Sequence, residues 1–437
     1  MTRKEINDFI EEHETRILSD LQNLISFESV VGNKDENERC LNWFMDLARS
    51  MNLTTFRTTT NDVGIVEVGE GDETLGVLVH LDVVSIGDPR KWTFSPFEGM
   101  IYDGSIYGRG TLDDKGAAII SLYALKALVD LEVPLHKKIW LIIGTSEEGK
   151  WTDIQNFKSE FPIPNYGFSP DGEFPIFNIE KGYADITLNF RESCNGKTSM
   201  ISELKAGKDT NTIPSRAEIV YNGKLSVFEG VSAHSSTPEV GINAIEKLCM
   251  CKIINLNFKF VRFMNEILGQ DMYGGRLTFK GNEDYWGDQY VGKTTVVPTV
   301  LGIRDGKVQL TLNVRHSYGV TRENIHKAFE EFAKEYDYDI KMEEYMDPMV
   351  VSKELGMLSL MAQVYESWGF TNSFGVDKGT SYAKAMENFV SWGPSFPGDP
   401  PCAHQENERI PLKSLFLAMG IYMEFLSRAV STKESLK

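Results

Sequence analysis

Apolar and polar positions change their period along the chain, and the changes mark its parts. Residues 75–84 (LGVLVHLDVV) form a continuous apolar run broken only by His80 and Asp82. Such a run predicts a strand covered on both faces. Lys138–Gly144 (KIWLIIG) predicts a second buried strand, and a third leads into Ser169-Pro170-Asp171. Between the first two, Lys115–Leu131 repeats apolar residues at helical spacing after a glycine-rich turn. Strand–helix–strand alternation implies an α/β sheet, mixed but mostly parallel, lying between helices. From about Tyr183 the strands alternate instead (ADITLNFR, AEIVYNGKLSVFEG, KVQLTLNVRH) around a helical stretch near Asn243–Leu268. That texture predicts an α+β domain with an antiparallel sheet. Beyond Val350 two long helical patterns return, separated by a Gly/Pro-rich loop at Trp392–Cys402. The predicted layout is one domain built from residues 1–182 and 350–437, with a second inserted as residues 183–349.

A chain of 437 residues suits two hydrophobic cores better than one. Its formal net charge of −18 argues against nucleic-acid binding, which needs a basic footprint. No run of 18 apolar residues occurs, so no membrane span is predicted. The first 27 residues read as an amphipathic helix, without the apolar core and cleavage site of a secretory leader. Five irregularly spaced cysteines read as reduced thiols, with Cys249 and Cys251 as core sulfur in an apolar helical run. These features together predict a cytoplasmic protein.

Five short segments carry candidate chemistry. His80-Leu81-Asp82 stands at the carboxyl end of a predicted strand, the edge where open α/β sheets bind ligands. Alternate strand residues share a face, and a metal-bound imidazole commonly gives its other N–H to a carboxylate. Asp113 and Asp114 follow a Gly-rich turn at a helix start, where they also suit capping and the helix dipole. The spacing of a phosphate-binding loop is absent there. Glu147 and Glu148 follow a buried strand; in an extended segment they would point in opposite directions. One acid would then face a metal and the other its bound water or substrate. Asp171 lies in a Ser-Pro-Asp-Gly turn and His404 just beyond the Gly/Pro-rich loop. Singly, each residue has a bland reading as a core histidine, a cap or a solvated loop. Jointly, two histidines and three acids make a binuclear metal set in which one acid must bridge ions about 3.5–4 Å apart. Mixed N/O donors suit Zn²⁺, with Mn²⁺ or Co²⁺ as alternatives.

The runs VHLDVVSIGDPRKWTFSPFEGMIYDGSIYGRGTLDDKG, GTSEEGKWTD, SPDGEFPIFNIEKG and CAHQENERI resemble the aminoacylase/acetylornithine deacetylase/succinyl-diaminopimelate desuccinylase metallopeptidase family. Within it, WTFSPFEG, EFPIFNIEKG and the chain length look most like the peptidase V-type dipeptidases. The resemblance covers essentially the whole chain, in the family's order. It implies that His80 and Asp171 hold one metal, that Glu148 and His404 hold the other, and that Asp113 bridges them. It further implies that Asp82 orients His80, that Glu147 is the general base for a metal-activated water, and that the Asp113–Asp114 peptide is cis. By the same resemblance the first domain is catalytic and the inserted one a lid carrying substrate-binding Asn211, His234 and Arg315. His234 would donate to the developing oxyanion and Arg315 would clamp a C-terminal carboxylate, roles that suit an imidazole donor and a planar guanidinium. Lys384, in GTSYAK, stands where related dipeptidases commonly carry arginine; it offers a point charge without a planar fork.

The implied activity is hydrolysis of a small peptide, a dipeptide with a free carboxylate, by a monomer or a homodimer formed through the lid. Two rivals share the scaffold, an N-acyl-amino-acid deacylase and a carboxypeptidase. A rival of another class is a non-catalytic peptide-binding protein, for which Glu147 would have no use.

Overall fold

The computed structural model of the protein describes residues 1–193, 195–196, 199–251 and 258–437. The chain divides into two compact units, one of residues 1–178, 351–375 and 381–437, the other of 179–350 and 376–380. Cys194 lies outside the described residues, as does 252–257 within the expected helical stretch.

In the first unit the central sheet is mixed. Its order begins β1 (Thr54–Arg57), β2 (Gly64–Val68), β4 (Lys138–Gly144), β3 (Thr74–His80), β5 (Tyr166–Ser169) and continues to Phe389–Trp392. The pairings of β3 with β4 and β5, and of β5 with Phe389–Trp392, are parallel. β1, β2 and β4 pair antiparallel, as do Phe389–Trp392 and the strand beginning at Ile176. The parallel pairs therefore occupy the centre. Leu75–His80 and Ile139–Gly144 are buried without interruption, which requires cover on both faces because successive side chains alternate.

Helices supply that cover. α1 (Arg3–Ile25) starts from a capping box in which Thr2 and Glu5 satisfy each other's amides. α2 (Lys34–Ser50) packs on β1 and β2, and α3 (Lys115–Asp130) packs on the sheet, on α1 and on the C-terminal helix Leu412–Ser431. α3 is apolar nearly all round and buried over most of its length, as expected of a helix inside a core. β3 stops at His80 and does not run on to Val84. The Leu81 amide still donates to Gly144 O at 3.0 Å, but Asp82 then turns its carboxylate toward other backbone amides, which ends the ladder.

The second unit is built on an antiparallel sheet. Its order is Lys224–Glu229, Arg216–Tyr221, Ser199–Ala206, Thr295–Arg304, Lys307–His316, Gly182–Ser193 and Tyr338–Met346. Helices Ala244–Cys249, Lys259–Phe263 and Arg322–Tyr336 pack against it over a core that includes Ile186, Leu188, Leu310 and Phe329. The five residues Val376–Thr380 group with this unit although they fall after Val350 in sequence. Lys181 N donates to Asp377 O at 2.9 Å, and Lys378 pairs with Glu239 at 2.8 Å.

Phe168 of β5 is fully buried and meets Trp392, Tyr422 and Phe425 with ring centroids 5.3–5.7 Å apart. Phe168→Ala should destabilise the first unit by about 3–5 kcal/mol, measured as a fall in its denaturant midpoint.

Candidate metal centre

β3, β4 and β5 are parallel neighbours, and His80 pairs in register with Gly144. Their carboxyl ends therefore deliver His80, the 145–148 turn and Asp171 to one edge. Asp113 reaches the same place from the turn before α3, through an Asp113–Asp114 peptide that is cis. His404 arrives from the C-terminal loop with a left-handed φ of 61°.

These side chains converge in two groups, His80 with Glu147 and Asp171, and Asp113 with Glu148 and His404. Within each group the donor atoms lie within 4.8 Å of one another. Asp113 touches both histidines with different oxygens. Its Oδ1 is 3.0 Å from His80 Nε2 and its Oδ2 is 2.9 Å from His404 Nε2. Asp171 Oδ2 lies 3.8 Å from His80 Nε2, and Glu148 Oε1 lies 2.8 Å from His404 Nε2.

The donor chemistry fits a pair of divalent cations. His80 Nδ1 meets the Asp82 carbonyl oxygen at 2.9 Å; a carbonyl only accepts, so this contact assigns the ring proton to Nδ1. Nε2 then presents a lone pair toward carboxylates, and this buried atom makes no hydrogen bond. A divalent cation would accept the imidazole lone pair and the carboxylates around it together. The electrostatics show the same demand for positive charge, met here by protons on the rings. Burial opposes protonation of His80, but contacts with Asp113 and Asp82 and the charge of Asp171 outweigh it and raise its pKa well above the usual value. Burial likewise opposes protonation of His404, and Asp113 and Glu148 overcome it, raising the imidazole to about 12. Burial and the nearby Asp113 carboxylate push Asp171 up to about 8. Burial, together with the charges of Asp171, Glu148 and Asp113, raises Glu147 well above the carboxylate range. Asp113, held by two histidines against its own burial, falls well below it. The cluster carries more negative charge than its histidines can balance, the condition that bound metal ions relieve.

Asp82 and the glutamates depart from the simple strand picture. The Asp82 carboxylate lies 3.6 Å from His80 Nδ1, outside hydrogen-bond range, so Asp82 meets the ring through its carbonyl oxygen. Its Oδ1 and Oδ2 instead accept the amides of Glu147 and Glu148, each at 3.0 Å. Glu147 and Glu148 consequently lie in a turn and not in an extended segment. They still join different groups, because the turn rather than strand alternation separates their side chains.

Two further buried acids, not among the expected metal ligands, hold the centre from behind. Glu408 is fully buried; its Oε1 accepts the amides of Gly110, Leu112 and Asp113, and its Oε2 pairs with Arg109 at 2.5 Å. Asp114 is buried too, and its Oδ2 accepts the His80 amide at 3.3 Å. Glu408 sits inside the CAHQENERI run, but its partner is 299 residues away. No periodicity links the two. Beside Asp113 and Asp171, Glu173, Ser395 and Asp399 line a cavity of about 310 Å³.

The second unit carries Asn211, His234 and Arg315. Ser235 N donates to Asn211 O at 2.8 Å, and Thr212 pairs with His234 across a short antiparallel bridge. His234 Nδ1 accepts the Ser236 amide at 3.2 Å, which makes Nε2 the donor in the neutral ring. Arg315 is buried, not a surface arginine, and its guanidinium lies 4.7 Å over the Tyr183 ring. Its Nε donates to Asn313 Oδ1 at 3.1 Å and its Nη1 to Thr380 Oγ1 at 3.3 Å. Asn313 Oδ1 also accepts Ser235 Oγ at 2.8 Å, so one amide ties the His234 strand to Arg315. Lys384 lies in the first unit on the 3₁₀ turn Tyr382–Ala385, two residues after Tyr382, whose ring meets His80 edge-on at 6.0 Å.

The model of peptidase family M20/M25/M40 matches residues 76–428, a span that contains every residue of the two metal groups. The chain belongs to that peptidase family. A Staphylococcus haemolyticus relative named "Putative dipeptidase" is 29% identical over 95% of this chain and 97% of its own. Two solved structures share the fold at low identity. Human carnosine dipeptidase 1 has a TM-score of 0.66 at 16% identity, covering 97% of this chain and 98% of that one. A dinuclear-metal-binding peptidase of Bacillus subtilis has a TM-score of 0.57 at 10% identity, covering 97% and 99%. The family member described here is thus a metallopeptidase whose candidate donors fall into two adjoining sets that meet at Asp113.

If Asp113 is shared, Asp113→Ala should cost the peptidase both ions, whereas His404→Ala should cost mainly one. Elemental analysis of metal per chain after dialysis distinguishes these outcomes.

Proposed function

We propose that the protein is a metal-dependent dipeptidase acting on short peptides with a free C-terminal carboxylate. The observation that carries this reading is the placement of the two Asp113 oxygens, one against each histidine. In this reading His80 and Asp171 hold one divalent ion, Glu148 and His404 hold the other, and Asp113 serves both. Zn²⁺ suits these N/O donors best, with Mn²⁺ or Co²⁺ as alternatives. Bound there, such ions supply Lewis acidity toward the scissile carbonyl and increase the acidity of water.

The remaining chemistry belongs to side chains. Glu147 adjoins the His80 and Asp171 donors, and its burial favours accepting a proton. It takes a proton from the attacking water on a carboxylate oxygen and returns it to the leaving amine nitrogen, a base that becomes an acid. Asp82 fixes the Glu147 and Glu148 amides and holds the His80 ring through its own carbonyl. His234 offers its Nε2–H to the developing oxyanion, and preorganised donors of this kind stabilise tetrahedral intermediates. Arg315 receives the substrate carboxylate. Its fork is already oriented by Asn313, Thr380 and the Tyr183 face, so little side-chain entropy is lost on binding. Asn211 and Lys384 complete the substrate contacts.

The relatives' dipeptidase names support the choice of substrate over acylated amino acids or longer peptides. Cys40, Cys249, Cys251 and Cys402 are free thiols, and no helix among the described residues is long and apolar enough to cross a membrane. Both facts accord with a cytoplasmic enzyme.

Glu147→Gln should retain both metals yet lower kcat by at least about 100-fold, the range of a lost general base; near-normal turnover removes the assignment. Arg315→Ala should raise KM for dipeptides but leave C-terminally amidated ones little changed. Steady-state kinetics on matched acid and amide substrates, with acylated amino acids and tripeptides alongside, tests both the clamp and the dipeptide preference.

A further inference from the structure

Four consecutive backbone amides present the two glutamates, and two buried carboxylates hold all four. Asp82 accepts Glu147 N and Glu148 N. Asp153 Oδ2 accepts Thr145 N at 2.7 Å and Ser146 N at 2.9 Å. The same oxygen takes Tyr382 OH at 2.5 Å, while Asp153 Oδ1 caps Ile154 N at 2.7 Å. Asp153 and Tyr382 are fully buried, so their polar atoms have no water to fall back on.

The surroundings are shaped for this pair. A Cβ on Gly144, the last residue of β4, would stand 2.6 Å from Tyr382 Oη and 2.7 Å from Asp153 Oδ2. Only glycine leaves room for the two groups beneath the strand end. Trp151 reverses the chain at a left-handed φ of 53°, which brings Asp153 back under the turn. Its indole Nε1 donates to Glu147 O at 2.8 Å. The Tyr382 ring packs edge-on against both Trp151 and His80.

We propose that Asp153 and Tyr382 are positioning residues that set the reactive orientation of Glu147 through the backbone of the 145–148 turn. The inference rests on the reading of Glu147 as the general base. Neither side chain touches substrate or metal in this account. They act by denying the turn an alternative conformation, so their loss misplaces Glu147, while Glu148 stays tied to Asp82 and His404 and the histidines and Asp113 keep their places. Misplacing a reacting group by about 1 Å costs up to about 100-fold in rate. The effect should fall on kcat and not on KM, because substrate capture belongs to other residues.

The test uses the metal-loaded full chain and three variants, Asp153→Asn, Tyr382→Phe and Gly144→Ala, with Glu147→Gln as reference. Asp153→Asn puts an amide where three donors converge and should lower kcat at least about tenfold, with KM within about twofold and two metals retained. Tyr382→Phe keeps the ring packing and loses one donor, so it should show a smaller loss of the same kind; it carries the test if Asp153→Asn fails to fold. Gly144→Ala should resemble Asp153→Asn. A kcat per metal-loaded site within about twofold of the parent in Asp153→Asn and Tyr382→Phe overturns the inference. So does a loss that vanishes on normalising to bound metal, or one that appears wholly in KM. If Glu147→Gln itself retains activity, the base assignment falls and this inference falls with it. An inactive Glu147→Gln beside normal Asp153 and Tyr382 variants overturns the inference alone.

Discussion

Like-charge crowding is the constraint on which the first unit depends. Asp113, Asp171, Glu147 and Glu148 meet around His80 at the end of a parallel sheet, with His404 closing the group. Burial and mutual repulsion hold several of these acids above their ordinary range. Left to themselves, such side chains would swing apart into water. Asp113 and the two glutamates are prevented from doing so by backbone fixed from behind. Glu408 holds the amides leading to Asp113, Asp82 holds the amides of both glutamates, and β3 delivers His80 in register with β4. The stability of the apolar sheet is thereby used to hold a polar cluster that would not assemble alone, and divalent ions relieve its excess negative charge.

The second unit shows the same principle with fewer charges. Arg315 is buried on an aromatic face, and a single side-chain oxygen of Asn313 serves both it and Ser235 beside His234. Asp185 completes the network by accepting from Asn313 and from Tyr183. A guanidinium buried and oriented before substrate arrives costs stability but limits the entropy lost on binding. In both units buried polar groups hold residues proposed to touch substrate or metal: Glu408 and Asp82 hold Asp113 and the glutamates, and Asn313 holds Arg315.

Elements with a strong apolar period were legible from sequence. Lys138–Gly144 is a strand over those very residues, because a 7-residue run rich in isoleucine suits a buried strand and is too short for a buried helix. Lys115–Asp130 is a helix for the complementary reason, with apolar side chains nearly all round. The joints were less legible. Glu147 and Glu148 read as extended but form a turn, because Asp82 and Asp153 pull four amides inward. Asp82 read as a carboxylate partner of His80; its carboxylate lies 3.6 Å from the ring nitrogen that its carbonyl meets, and its two oxygens also hold the amides of the turn. Hydropathy shows which segments are buried; it does not show which amide a buried carboxylate will find.

The chain alone determined the five metal-ligand candidates, their order, the acid beside them and the family pattern, because these are matters of residue type at a given place. Tertiary structure decided how they are held. Arg109 and Glu408 are 299 residues apart, and Asp153 and Tyr382 are 229 apart. No local rule relates residues at such distances. Their pairing follows from which strand ends and loops the packed core brings together, and it is there that a set of ionisable side chains acquires the geometry of a metal centre.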